Sequence, residues 1–155
     1  MNETVQIKTP WLASKDPEVP STLNYSTLSM CGRVEEMVRQ YPNYIAYEFM
    51  GKTTTYAEMW QKINACAKSL KAIGIREGDK VTICMPNAPQ TLCMFYAVNM
   101  VGAIANMVHP LSAESEISFY LRDSNSVAAI TLDQFYPKLS LIHISEPTRH
   151  SLISY

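Results

Sequence analysis

TTTYAEMWQKINACAKSLKAIGIREGDKVTICMPNAPQTLCMFYAVNMVGAIANM, residues 53–107, reads as strand, helix, strand, helix, strand. Thr55-Tyr56-Ala57-Glu58 is a capping-box pattern: the Thr hydroxyl can accept from the third amide of the helix while the Glu reaches back. The spacing predicts a helix over 56–72, with Met59, Ile63, Cys66, Ala67, Leu70 and Ile73 on one apolar stripe. Gly74 stands where a left-handed residue closes such a helix. Arg76-Glu77-Gly78-Asp79 is a polar turn, and 80–85 is the next strand. Pro86-Asn87-Ala88-Pro89 opens a helix over 90–100, with Asn87 as its expected cap and Pro89 tolerated in the first turn. Leu92, Cys93, Phe95, Tyr96 and Val98 spread around that helix, which implies burial between layers. Gly102 ends it. Residues 103–108 form a strand with almost no polar side chains, as expected where both faces are covered. Strands alternating with helices of this length give an α/β fold: part of a doubly wound parallel sheet with flanking helices and right-handed crossovers.

Outward from this stretch, Ser112 is the expected cap of a helix reaching Asp123, and 127–132 is a further buried strand. Upstream, Ser29 caps a helix over 30–40 with Val34, Met37 and Val38 on its apolar face. Tyr41-Pro42-Asn43 ends it, because a residue before proline disfavours helical angles. Residues 44–50 alternate as a strand, Gly51-Lys52 turns the chain, and 53–55 pairs back. Residues 1–26 carry Pro10, Pro17 and Pro20 and no periodicity. They read as an extended arm anchored on a surface by Trp11, Leu12, Val19 and Leu23.

The 155 residues, 47% hydrophobic and 17% charged with a formal net charge of -1, fit one globular domain. Near-neutral charge argues against a nucleic-acid partner, which calls for a basic stripe. The first eleven residues hold no apolar signal region, and the run 93–108 is interrupted by Asn99, Gly102 and Asn106, so neither a leader nor a membrane span is expected. Cys31, Cys66, Cys84 and Cys93 have no C-x-x-C spacing and read as reduced core thiols of a cytoplasmic protein.

Several residues imitate sites. Gly51-Lys52-Thr53 resembles the end of a phosphate-binding loop, but Ala46 stands where that loop needs glycine and no helix follows directly. His109, just past a buried strand's carboxyl end, holds the best position for lining a pocket. A backbone contact is the favoured explanation, since no partner constellation accompanies it. Glu114 and Glu116 suit a helix N-terminus. The nine methionines sit mostly on apolar stripes. Asn2-Glu3-Thr4 and Asn24-Tyr25-Ser26 match the glycosylation pattern without a leader to give it meaning. No catalytic, cofactor-binding or metal-ligating residue is assigned.

From Tyr41 to Asp133 the chain resembles the beginning of an adenylate-forming (AMP-binding) enzyme. Thr54-Thr55-Tyr56-Ala57-Glu58-Met59 is similar to that superfamily's first core motif. Leu70, Gly74-Ile75, Gly78-Asp79 and Val81 match its helix-turn-strand, and Pro86-Asn87 matches the pair after that strand. Ala97, Gly102-Ala103 and Pro110 match its second core motif. Within the superfamily the chain most resembles long- or medium-chain fatty-acid–CoA ligases. The resemblance implies an enzyme that uses ATP and Mg2+ to convert a carboxylic acid, here a fatty acid, into an acyl-adenylate and passes it to coenzyme A. It also leaves room for peripheral contact with a membrane. The family's phosphate loop, adenine motif, ribose-binding aspartate and catalytic lysine have no counterpart here. The expectation is a scaffold piece of the large N-terminal domain, inactive alone. A non-catalytic α/β binding module, or an adenylation domain feeding a carrier protein, are the rival readings.

Residues 139–149, LSLIHISEPTR, resemble one reading frame of a transposase-library sequencing adapter, with a barcode giving His150-Ser151-Leu152 and constant sequence giving Ile153-Ser154-Tyr155. The expected division is therefore an arm over 1–26, a partial AMP-dependent synthetase domain over 27–138, and a non-native tail over 139–155. His143 and His150 then carry no function. A chain cut there leaves strand edges and apolar faces open and is expected to be poorly soluble.

Overall fold

The computed structural model describes residues 9–139 and the backbone of the strand Ser151–Ser154. The α-helices include α1 (Met30–Gln40), α2 (Tyr56–Ala72), α3 (Pro89–Val101) and α4 (Glu114–Ser124). The strands are β1 (Ile45–Phe49), β2 (Lys52–Thr55), β3 (Lys80–Cys84), β4 (Ile104–Met107), β5 (Ala128–Thr131) and β6 (Ser151–Ser154). β1 and β2 form an antiparallel hairpin, while the others form a parallel sheet in the order β4-β3-β5-β6.

Alternation along β3 explains the layers. Val81 and Ile83 face α2 and α3, joined by Ala128 and Ile130 of β5 and by Ile63, Leu70, Ala97 and Val98 from the helices. Cys84 faces the other way with Ala129, beneath Ile117 and Leu121 of α4. α3 and α4 thus lie on opposite faces, as right-handed crossovers from β3 to β4 and then back past β3 to β5 require. Each wholly buried Ile or Leu here is worth about 1.5–3 kcal/mol relative to exposure.

Polar groups on the α4 side are paired as a set. Thr82 Oγ1 lies 2.7 Å from Ser126 Oγ and accepts from Asn106 Nδ2 at 2.9 Å. Ser124 Oγ takes the other amide proton of Asn106 at 3.1 Å and lies 2.8 Å from Ser126 Oγ. One network therefore ties β3, β4 and the α4–β5 connection together.

The α2 entry forms as its sequence dictates. Thr55 Oγ1 accepts from Glu58 N–H at 3.3 Å, and Glu58 Oε2 accepts from Thr55 N–H at 2.8 Å. Tyr56 and Ala57 N–H also bond to the carbonyls of Tyr44 and Pro42, which docks the helix start against the hairpin entry. α1 is capped by Ser29 and anchored to α3 by the Asn99 side chain, whose Oδ1 accepts from Cys31 N–H at 3.0 Å.

Five expectations are corrected. The hairpin turns at Met50-Gly51, both at positive φ, so Lys52 already belongs to β2. Asn87 does not cap α3: the N-cap is Ala88, without a side-chain bond, and Pro89 at the first helical position has no N–H to satisfy. Ser112 does not cap α4; the N-cap is Ala113, whose N–H donates to Glu116 at 3.0 Å, leaving half of a capping box. β4 is not covered on both faces: it is a sheet edge, with Ile104 53% and Met107 49% exposed. Trp11, Leu12, Val19 and Leu23 do not anchor the arm; all are exposed, and among the arm's described residues the regular structure is one 3-10 turn, Pro10–Ser14.

The capping box gives a pH-dependent prediction. Bonds from the Thr55 backbone and then its hydroxyl hold the Glu58 carboxyl below its ordinary 4.5. A lowered folded value means the contribution is present above the unfolded value and is lost as pH falls through the folded one. Thr55→Ala should cost about 1 kcal/mol at neutral pH in urea unfolding. Glu58→Gln should flatten the acid limb of stability below 4.5 while leaving the dependence above it unchanged.

Candidate functional site

In a parallel sheet, ligands gather beyond the carboxyl ends of strands where adjacent connections part to opposite faces. In the order β4-β3-β5-β6 that point lies between β3 and β5, with the loop after β4 alongside. Met85-Pro86-Asn87-Ala88 leads from β3 to α3, and Val108 through Ala113 leads from β4 to α4 on the other face. The edge is firmly built. Thr131 Oγ1 donates to the Cys84 carbonyl at 2.9 Å, and Thr91 Oγ1 donates to the Pro86 carbonyl at 2.6 Å. Val108 N–H bonds to the Ile83 carbonyl, extending the β3–β4 ladder beyond β4.

His109 and Asn87 both stand exposed at this edge. His109 Nδ1 accepts from the Leu111 N–H at 3.3 Å, and its carbonyl accepts from Ser112 N–H at 3.1 Å, so the ring is tied into its own turn. Lys138 was not singled out in the sequence, yet its ammonium reaches this loop and donates to the Ser112 and Pro110 carbonyls. The contact spans more than twenty residues and leaves no local signature. Gly51-Lys52-Thr53 lies in the hairpin, remote in topology from this edge. Glu114 and Glu116 are exposed at the start of α4. Asn24 is exposed, whereas Asn2, His143 and His150 lie outside the described residues.

Two clefts open elsewhere. One of about 420 Å3 lies among α1, α2, α3 and β1, lined by Met30, Arg33, Val34, Met59, Leu92 and Tyr96 among others. Another of about 310 Å3 is lined by Tyr47, Lys62, Cys66, Pro89, Gln90 and Cys93. Neither is lined by His109 or Asn87. All four cysteines are buried and none forms a disulfide. Burial raises the Cys31 and Cys84 thiols above their ordinary value, with Glu35 adding to the first and Lys138 opposing the second. No group of three or more metal-ligating side chains occurs among the described residues, and none of their helices is long and apolar enough to cross a membrane.

Comparison with known proteins places this geometry. The model of the AMP-binding enzyme family matches residues 34–153. A long-chain-fatty-acid–CoA ligase of Bacillus subtilis is 31% identical over 134 residues, covering 86% of this chain and 24% of the relative. A fatty acyl CoA synthetase structure from Mycobacterium tuberculosis superposes with a TM-score of 0.74 at 31% identity, covering 79% of this chain and 25% of that one. The N-terminal domain of FACL13 from the same organism gives 0.71 at 29%, covering 79% and 32%. The chain spans about a quarter of the length of the curated Bacillus relative.

Ring exposure and a purely local partner make His109 dispensable to the fold. His109→Ala should shift stability by less than about 0.5 kcal/mol in urea unfolding. A loss above 2 kcal/mol would show that the imidazole holds a structural contact beyond its own turn.

Proposed function

The chain belongs to the AMP-binding enzyme family, and from that premise we propose that it is the opening part of the large N-terminal domain of an acyl-CoA synthetase. The whole protein activates a carboxylic acid, a fatty acid by this reading, with ATP and Mg2+. It forms an acyl-adenylate, releases pyrophosphate and transfers the acyl group to coenzyme A. The observation that carries the reading is the alignment over 86% of the chain to a long-chain-fatty-acid–CoA ligase, together with the parallel core the chain shares with fatty acyl CoA synthetase structures.

The part of the domain held here supplies scaffold. A triphosphate needs converging backbone amides on a glycine-rich turn, or cationic side chains aimed outward. The loops after β3 and β4 contain no glycine, and the Lys138 ammonium near them is engaged by two carbonyls. The described residues at this edge therefore do not fit a nucleotide triphosphate or its magnesium. By this reading the isolated piece has no turnover. The expected cytoplasmic setting and any contact with a lipid surface belong to this same reading.

Residues 139–155 we assign to a foreign, adapter-derived tail. β6 falls within it and lies parallel to β5, Ala128↔Ser151 through Thr131↔Ser154. An open strand edge offers main-chain groups that any extended segment can meet, so this pairing is compatible with a foreign sequence. By this reading β6 occupies the position of a native strand.

A protein translated from the uninterrupted reading frame should catalyse fatty-acid-dependent exchange between pyrophosphate and ATP, and the 155-residue chain should not. Absence of exchange by the uninterrupted protein across short, medium and long acids contradicts the ligase reading. Exchange by the 155-residue chain contradicts the assignment of scaffold alone.

A further inference from the structure

The second cleft joins groups that the scaffold role does not use. Lys62 and Cys66 sit one turn apart on α2, on the side that meets α3. Cys93 faces them from the second turn of α3, and Tyr47 reaches in from β1. Lys62 Nζ stands 3.4 Å from the Tyr47 hydroxyl and 5.9 Å from its ring centre. Both thiols are nearly enclosed, Cys66 at 5% and Cys93 at 4% exposure, yet both line a cleft of about 310 Å3 open to solvent.

We propose that Cys66 and Cys93 form a two-thiol site, reached through this cleft, that chelates a soft trivalent centre of the kind carried by organoarsenicals. Soft thiolate ligands favour soft centres. The protein's own surroundings select among them. Burial, and then the charge on Cys66, hold the Cys93 thiol above its ordinary range, against the pull of Lys62 and a bond from Tyr47. A monovalent soft cation held by two thiolates leaves a negative charge in that buried position, and a divalent one, neutral there, calls for further ligands, whereas no group of three metal-ligating side chains occurs among the described residues. A trivalent organoarsenical is satisfied by two thiolates beside its own carbon. Its two As–S bonds form as the As–O bond breaks, both thiol protons leave with the oxygen as water, and no electrons are exchanged. The product is neutral, so the burial that disfavours a lone thiolate does not disfavour it.

The inference is independent of the ligase reading and is tested on the 155-residue chain with phenylarsine oxide. Intact-mass measurement should show one adduct per chain, formed with loss of one water. Fragmentation should place it across the peptides holding Cys66 and Cys93. A dithiol such as dimercaptopropanol should reverse it, and a monothiol at equal thiol concentration should not. Cys66→Ala or Cys93→Ala should weaken binding by about a hundredfold, the chelate advantage being lost, while Cys31→Ala and Cys84→Ala leave it unchanged. The fragmentation result uses the unaltered chain, so it holds even if a variant fails to fold. An adduct at Cys31 or Cys84, or one that a monothiol removes as readily as a dithiol, overturns the proposal.

Discussion

Everything in the parallel core depends on β3 being enclosed on four sides. β4 and β5 saturate its two edges, α2 and α3 cover one face, and α4 covers the other. Val81, Thr82, Ile83 and Cys84 have no accessible surface. A strand in that position cannot leave a main-chain or side-chain polar group unpaired without a cost of about 1–3 kcal/mol each. The Thr82 hydroxyl is accordingly fixed by Asn106 and Ser126, and none of the buried side-chain nitrogens and oxygens among the described residues lacks a partner. The network also gives the sheet a register mark, since a one-residue slip of β4 would carry Asn106 to the opposite face.

The helices were legible because their signals are local. The bounds of α1 and α2 follow from Ser29 and the Thr55–Glu58 box at their starts, and Gly74 and Gly102 take the left-handed angles that close α2 and α3. What failed were the weaker caps. Asn87 and Ser112 are the right residue types in the right neighbourhood. Pro89 removes one of the amides a cap would serve, and Glu116 reaches the Ala113 amide in place of a cap's own contribution. β4 illustrates a different limit. Its composition is that of a strand with both faces covered, but residues Ile104 and Met107 meet solvent because β4 is an edge. Composition reports how apolar a strand is, whereas its place at the edge of a sheet leaves no mark within the strand itself.

Candidate sites were less legible than the fold. His109 and Asn87 could be placed at the carboxyl edge from sequence, since that edge follows from strand order alone. Lys138 and the cleft holding Tyr47, Lys62, Cys66 and Cys93 could not, because they join residues from separate elements. The chain's 155 residues span about a quarter of the curated Bacillus relative.

We propose that the native frame leaves this chain at Leu139. Long-read sequencing of unamplified source DNA across the codons for Lys138 and Leu139 tests that most directly. The predicted result is a frame that departs from LSLIHISEPTR at Leu139 and runs on through a Ser/Thr/Gly-rich loop to a C-terminal lysine-bearing domain. A genome that itself encodes SLIHISEPTRH followed by a stop would contradict it, and the chain would then stand as a short α/β protein without adenylating machinery.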